Sequence, residues 1–200
     1  MARLGSKTDN SFRAEKIAVR LEALESVKSD SVRVLDCFSG NGLMWEDVAR
    51  YTDKKVSTLR IEKEPGKCLR THLIGDNMKF LPSLNLNDFD VIDLDAYGVP
   101  FGQLQEVLRQ DYSGAVVVTC VQTFMGALPV GLLESLGFTD KMREEAPALI
   151  GKHGAEKLLS YLGNNGVERA RGFWGIGVRS GKNYFWFSTA AQPSEGRVSK

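Results

Sequence analysis

The chain has 200 residues, 42% of them hydrophobic and 26% charged, with a formal net charge of +1. That length suits one domain, and a domain of this size buries roughly 70% of its unfolded surface, so its core needs no metal or disulfide support. No apolar run approaches the ~20 residues of a membrane span, the start MARLGSKTDN carries no apolar signal segment, and Cys37, Cys68 and Cys120 lack CxxC spacing, so no membrane, disulfide framework or zinc site is expected and a cytoplasmic setting is.

Residues 1–10 and 191–200 are polar and are expected to be flexible ends around a single domain over 11–190. Residues 12–27 place Phe12, Ile17, Val19, Leu21 and Leu24 among charges at helical spacing. Five short β-branched runs follow, at Val32–Leu35, Val56–Ile61, His72–Ile74, Phe89–Leu94 and Ala115–Cys120. Stretches such as Leu43–Tyr51 and Phe101–Tyr112 separate them at helix length, the signature of βαβ units and a parallel sheet. Beyond Val121, Gly126–Phe138 and Lys141–Leu162 have helical texture, interrupted by Pro129 and Pro147. Residues 172–179 and 183–188 then form a predicted hairpin turning at Ser180-Gly181-Lys182.

VRVLDCFSGNG places a buried strand directly before Asp36, Phe38, Gly40 and Gly42. Glycines after a parallel strand let backbone approach a ligand without Cβ clashes, and the next helix points its N-terminus at the same spot. A dinucleotide site needs a third glycine three residues on, where this chain has Trp45. The D-x-F-x-G-x-G pattern instead matches the first motif of S-adenosyl-L-methionine (AdoMet) methyltransferases, with Asp36 placed for the cofactor ammonium. Twenty-two residues after Gly40, the second strand ends at Glu62, an acid suited to both ribose hydroxyls, with Glu64 as a competitor. Asp76 and Asn77 follow the third run, where a side chain can meet the adenine amine or, equally for Asp76, cap the next helix.

The fourth strand ends in FDVIDLDAYGVP, which brings Asp93, Asp95 and Tyr97 to the carboxyl edge where open α/β sheets bind ligands. An exocyclic amine is a weak nucleophile because its lone pair is delocalised into the ring. A carboxylate accepting its N–H can orient that lone pair and take the proton, while a tyrosine stacks on the base. The two aspartates could otherwise simply cap the turn.

DVIDLDAYGVP resembles the D-L-D-P-F/Y-G-S-P signature of the tRNA guanine-N2 dimethyltransferases, and VVVTCVQTFMG is similar to that family's fifth-strand segment. The resemblance covers about residues 32–128. It implies a Rossmann-like methyltransferase fold, with a mostly parallel seven-stranded sheet and a C-terminal antiparallel hairpin. It also implies AdoMet as cofactor, a guanine amine as acceptor and Asp95 as the catalytic aspartate. Ala96 replaces the motif's proline and Val99 its serine, and the family's large tRNA-holding domain has no counterpart here. A partner subunit could supply that function.

Arg13 lies upstream of the first strand with Lys16, positioned to fork onto the AdoMet carboxylate. Basic ends flank an acidic middle, and aromatics interleave with Arg171, Arg179 and Lys182 in the hairpin, a pattern suited to a nucleic-acid substrate, RNA ahead of DNA. His72 and His153 are isolated, so no metal is expected.

Overall fold

The computed structural model describes residues 12–67, 70–123, 128–145, 154–176 and 180–189. Helix α1 (Arg13–Ser26) leads into β1 (Ser31–Asp36), α2 (Leu43–Val48), β2 (Lys55–Glu62), β3 (Leu73–Ile74) and α3 (Asn77–Phe80). Then come β4 (Val91–Asp95), α4 (Phe101–Arg109), β5 (Ala115–Thr123), α5 (Val130–Ser135) and α6 (Asp140–Glu145). Helix α7 (Gly154–Asn164) precedes β6 (Ala170–Ile176) and β7 (Ser180–Ser188).

The strands make one seven-stranded sheet ordered β3-β2-β1-β4-β5-β7-β6. Strands β1 to β5 pair in parallel, and β7 is antiparallel to both β5 and β6. The order reverses between β1 and β4, which opens a crevice beyond their carboxyl ends. Strand alternation sorts the core onto two faces. Ile92, Leu94, Val116 and Val118 pack toward Phe101, Leu104 and Leu132. Val91 and Val117 turn the other way, with Val32 and Val34, against Val19, Ala23 and Leu24 of α1 and Trp45 of α2.

The expected mostly parallel sheet and antiparallel hairpin are both present, with two local corrections. The turn of the hairpin does not lie at Ser180-Gly181-Lys182. Those residues belong to β7 and pair with Thr123, Gln122 and Val121, because β5 continues that far and offers them a ladder partner. Pro129 does not interrupt a helix but stands immediately before α5, where its missing N–H costs nothing. Within Lys141–Leu162, α6 runs to Glu145 and α7 begins at Gly154, and Pro147 and His153 lie outside the described residues. So do Cys68, Arg179 and the two chain ends.

Candidate functional site

A cavity of about 710 Å³ opens at the carboxyl edge, in the size range of small-molecule sites. Its wall brings together Asp36, Phe38 and Gly40 after β1, Glu62 after β2, and Asp76 and Asn77 before and in α3. Asp93, Asp95 and Tyr97 from β4 and Arg13 from α1 complete it.

The glycine turn is built from backbone bonds. Ser39 N donates to the Ile61 carbonyl at 3.1 Å, Cys37 N to the Asp93 carbonyl at 3.0 Å, and Gly42 N to the Ser39 carbonyl at 2.7 Å. Gly40 (φ +56°) and Gly42 (φ +76°) both sit in the left-handed region that disfavours other residues. A Cβ at Gly40 would meet nothing nearer than the Phe38 carbonyl at 3.9 Å, so the backbone there stands open to a ligand. Gly42 lies outside the wall and turns the chain into α2. Phe38 is half-buried and packs on the core, which fixes the turn from below.

Glu62 is buried and accepts two amide hydrogens, from Gly40 at 2.7 Å and from Glu64 at 3.0 Å. Of the two candidate acids, Glu62 lines the cavity, while Glu64 is exposed and outside it. Asp76 caps α3, accepting from Met78 N at 3.0 Å, and keeps a place in the wall. Asn77 also lines the cavity and holds its turn together. Its amide donates to the Cys37 carbonyl and its oxygen accepts from Gln103 Nε2, both at 2.8 Å, so it ties the glycine turn to α4 and both ends of its amide are engaged.

Asp93 is also corrected. It is 1% exposed, and its carboxylate takes the Arg20 fork at 2.8 and 2.9 Å and the Trp45 indole N–H at 2.7 Å. Charge-assisted pairing of this kind leaves no room for an acceptor, so Asp93 is part of the frame rather than a catalytic group. The side-chain periods explain the arrangement. Val91, Asp93 and Asp95 face α1, and the two aspartates are spaced about 6.6 Å apart along a strand. Lys16 and Arg20 are spaced about 6 Å along a helix, so Arg20 forks onto Asp93 while Lys16 lies opposite Asp95. Lys16 Nζ lies 3.0 and 3.2 Å from the Asp95 oxygens, and Arg20 reaches Asp95 at 3.2 Å.

These contacts separate the acids. Burial pushes the Asp95 carboxyl upward, but Arg20 and Lys16 outweigh it and hold Asp95 below its ordinary value. Asp93 is raised by burial despite Arg20. Asp36, 3% exposed, is raised well above the carboxylate range by burial and by the charge of Asp93. Its one short-range support is the Phe38 amide at 3.3 Å. Burial likewise raises the Cys37 thiol, so it is not a reactive thiolate.

Arg13 lines the cavity but its guanidinium is ion-paired with Asp47. Tyr97 is 85% exposed at the cavity mouth. Two buried hydroxyls in the wall, Ser39 Oγ and Thr119 Oγ1, have no hydrogen-bond partner; Thr119 is near enough to Asp95 to favour its ionised form without bonding to it in good geometry. Buried polar atoms left open in a cavity wall are what a polar ligand would complete. Sequence reasoning missed Arg20, Thr119 and Tyr184, and gave Lys16 no role. The one available signal was the match between Lys16-x-x-x-Arg20 on a helix and Asp93-x-Asp95 on a strand. Among the described residues there is no cluster that could hold a metal ion, and no helix is long and apolar enough to cross a membrane.

No protein-family model matches the sequence, and no curated protein matches it. Solved structures do match in fold. A possible exported protein from Bordetella parapertussis has a TM-score of 0.52 at 14% identity, over 88% of this chain and 68% of its own. EvdMO1 has a TM-score of 0.51 at 13% identity, over 89% of this chain and 41% of its own, so the chain spans less than half of that protein's length. P. horikoshii TYW2 in complex with MeSAdo has a TM-score of 0.49 at 14% identity, over 90% of this chain and 62% of its own. Likeness at these identities is likeness of fold, and the fold is the Rossmann-like α/β arrangement that the strand order displays.

Proposed function

We propose that the chain is an AdoMet-dependent N-methyltransferase acting on an exocyclic amine of a nucleobase, in RNA ahead of DNA. One observation carries this reading: Asp95, held ionised, shares a single cavity with the glycine turn and Glu62. The residues present fit the cofactor. Glu62 retains carboxylate lone pairs for the ribose, Asp36 is a buried acid that a cationic ligand would ionise, and Ser39 Oγ lacks a partner. Bound AdoMet supplies an electrophilic methyl group. Asp95 accepts an N–H of the acceptor and orients its lone pair, and Tyr97 covers the face of the base. The proton that the nitrogen sheds as the methyl arrives leaves through Asp95, which, held below its ordinary value, passes it on to water rather than keeping it.

Calorimetry with AdoMet tests the cofactor site, and absence of binding by the wild type would sink the reading. Tritiated methyl transfer to total RNA, DNA and protein then identifies the acceptor. Asp95→Asn is expected to abolish transfer while AdoMet affinity stays within a few-fold. A partner subunit that holds the nucleic acid belongs to the same proposal. A small-molecule or protein acceptor, or a catalytically silent AdoMet-binding subunit, are the outcomes that would replace it.

A further inference from the structure

The end of the cavity beside Asp95 is closed by the chain's own amine. Lys16 Nζ bridges both Asp95 oxygens, at 3.0 and 3.2 Å, with the Tyr184 ring centroid 5.6 Å away. Its side chain is only 13% exposed. Arg20 and Lys16 together balance the charges of Asp93 and Asp95. Thr119 is the register partner of Asp95 on β5, is 2% exposed, and presents a hydroxyl without a partner to the same space.

Building on the reading of Asp95 as the group that orients the acceptor nitrogen, we propose that Lys16 is the chain's stand-in for that nitrogen and sets the acceptor class: the subsite admits uncharged N–H donors and rejects free ammonium groups. An entering N–H donor has to take Asp95 from Lys16. An uncharged one leaves the two cations and two carboxylates balanced, with the Thr119 hydroxyl in the same wall as a further hydrogen-bonding group. An alkylammonium brings a third cation to two carboxylates in a largely buried space, which desolvation and like-charge repulsion oppose. It also competes with an ammonium tethered at high effective concentration.

The test uses n-propylammonium and benzamide as probes, followed by amide chemical shifts and thermal stability of the whole chain. Wild type is expected to respond saturably to benzamide at the Asp95 and Thr119 amides, and n-propylammonium to leave those two amides unmoved. Lys16→Ala, a substitution helices favour, is expected to bind n-propylammonium at least tenfold more tightly than wild type, and the double variant Lys16→Ala/Asp95→Asn to lose that binding. Lys16→Arg keeps the cation and is expected to stay closed. If Lys16→Ala does not fold, Lys16→Met with methylammonium provides the same vacancy with the stem retained. A wild type in which n-propylammonium shifts the Asp95 and Thr119 amides, or benzamide fails to, overturns the proposal, as does a Lys16→Ala chain that stays closed to the cation there. AdoMet calorimetry on the same samples separates the two readings: binding of AdoMet alongside an open wild-type amine site defeats the role of Lys16 alone, and no AdoMet binding defeats the methyltransferase reading itself.

Discussion

Glu62 accepts the amide hydrogen of Gly40 at 2.7 Å, so the acid that ends β2 holds in place the turn that follows β1. A residue expected to bind the cofactor ribose is thus also the anchor of the loop that would receive the methionine portion. One side chain couples two halves of the site.

Glu62→Ala is therefore expected to act twice. It leaves the Gly40 and Glu64 amides without their acceptor, at about 1–3 kcal/mol for a buried unsatisfied group, and removes the ribose contact. AdoMet affinity should fall about tenfold or more by calorimetry, with a lower melting temperature. Glu62→Gln keeps one accepting oxygen but turns an NH₂ toward the other amide, so it should fall between the two. Wild-type affinity in Glu62→Ala would remove Glu62 from the site.

Breaking the Arg20–Asp93 pair is expected to unfold the chain rather than simply slow it. Both side chains are buried, at 0% and 1% exposure, and removing one partner of a buried pair costs about 3–5 kcal/mol because the other charge stays behind. Arg20→Met and Asp93→Asn should each lower stability by that order in urea denaturation. Arg20→Met/Asp93→Leu should lose less than the sum of the two single changes. Additive losses would show that the charges do not act as a pair.

This pair also marks where the sequence stops being readable. The glycine turn, Glu62, Asp95 and the strand order follow from local pattern: β-branched runs, a turn that needs φ > 0, an acid at a fixed distance. Arg20 and Asp93 are 73 positions apart, and nothing local distinguishes Asp93 from Asp95. Only the packing of α1 across β4 decides that one carboxylate is sealed by a fork and an indole while the other faces the cavity. The partners of Asn77 are hidden in the same way, since Cys37 and Gln103 come from two other elements. The turn of the hairpin was misplaced because β5 extends to Thr123, beyond its apolar run.

Asp36 predicts a pH dependence for cofactor binding. Burial, then Asp93, hold its carboxyl well above the ordinary range, against the pull of Arg20. A ligand ammonium favours the ionised form, so binding should release a proton, detectable as a buffer-dependent calorimetric enthalpy. Affinity should be level above the raised value and fall as pH drops through it, by at most about tenfold per pH unit for one proton. The sign for folding is opposite: a raised carboxyl disfavours the native state once ionised, so its contribution improves as pH falls from the folded value toward the unfolded one. Asp36→Asn should bind AdoMet more weakly and without this slope. A wild-type affinity flat across that window would assign the ammonium elsewhere.

Tyr97 offers the sharpest separation between cofactor and acceptor. Its ring is 85% exposed at the mouth of the cavity, two residues beyond Asp95, and the described structure gives it no part in the core. A large exposed aromatic beside a reactive carboxylate gains from burial only when a ligand covers it, and stacking on a base contributes about 1–3 kcal/mol. Tyr97→Ala should thus leave the melting temperature and AdoMet affinity near wild type while raising the KM for RNA about tenfold or more. Tyr97→Phe keeps the ring and should keep the KM, since stacking uses the face and not the hydroxyl. Initial rates across RNA concentration distinguish these outcomes. An unchanged KM in Tyr97→Ala would place the acceptor away from the mouth, and a loss shared by Tyr97→Phe would assign the contact to the hydroxyl instead of the ring.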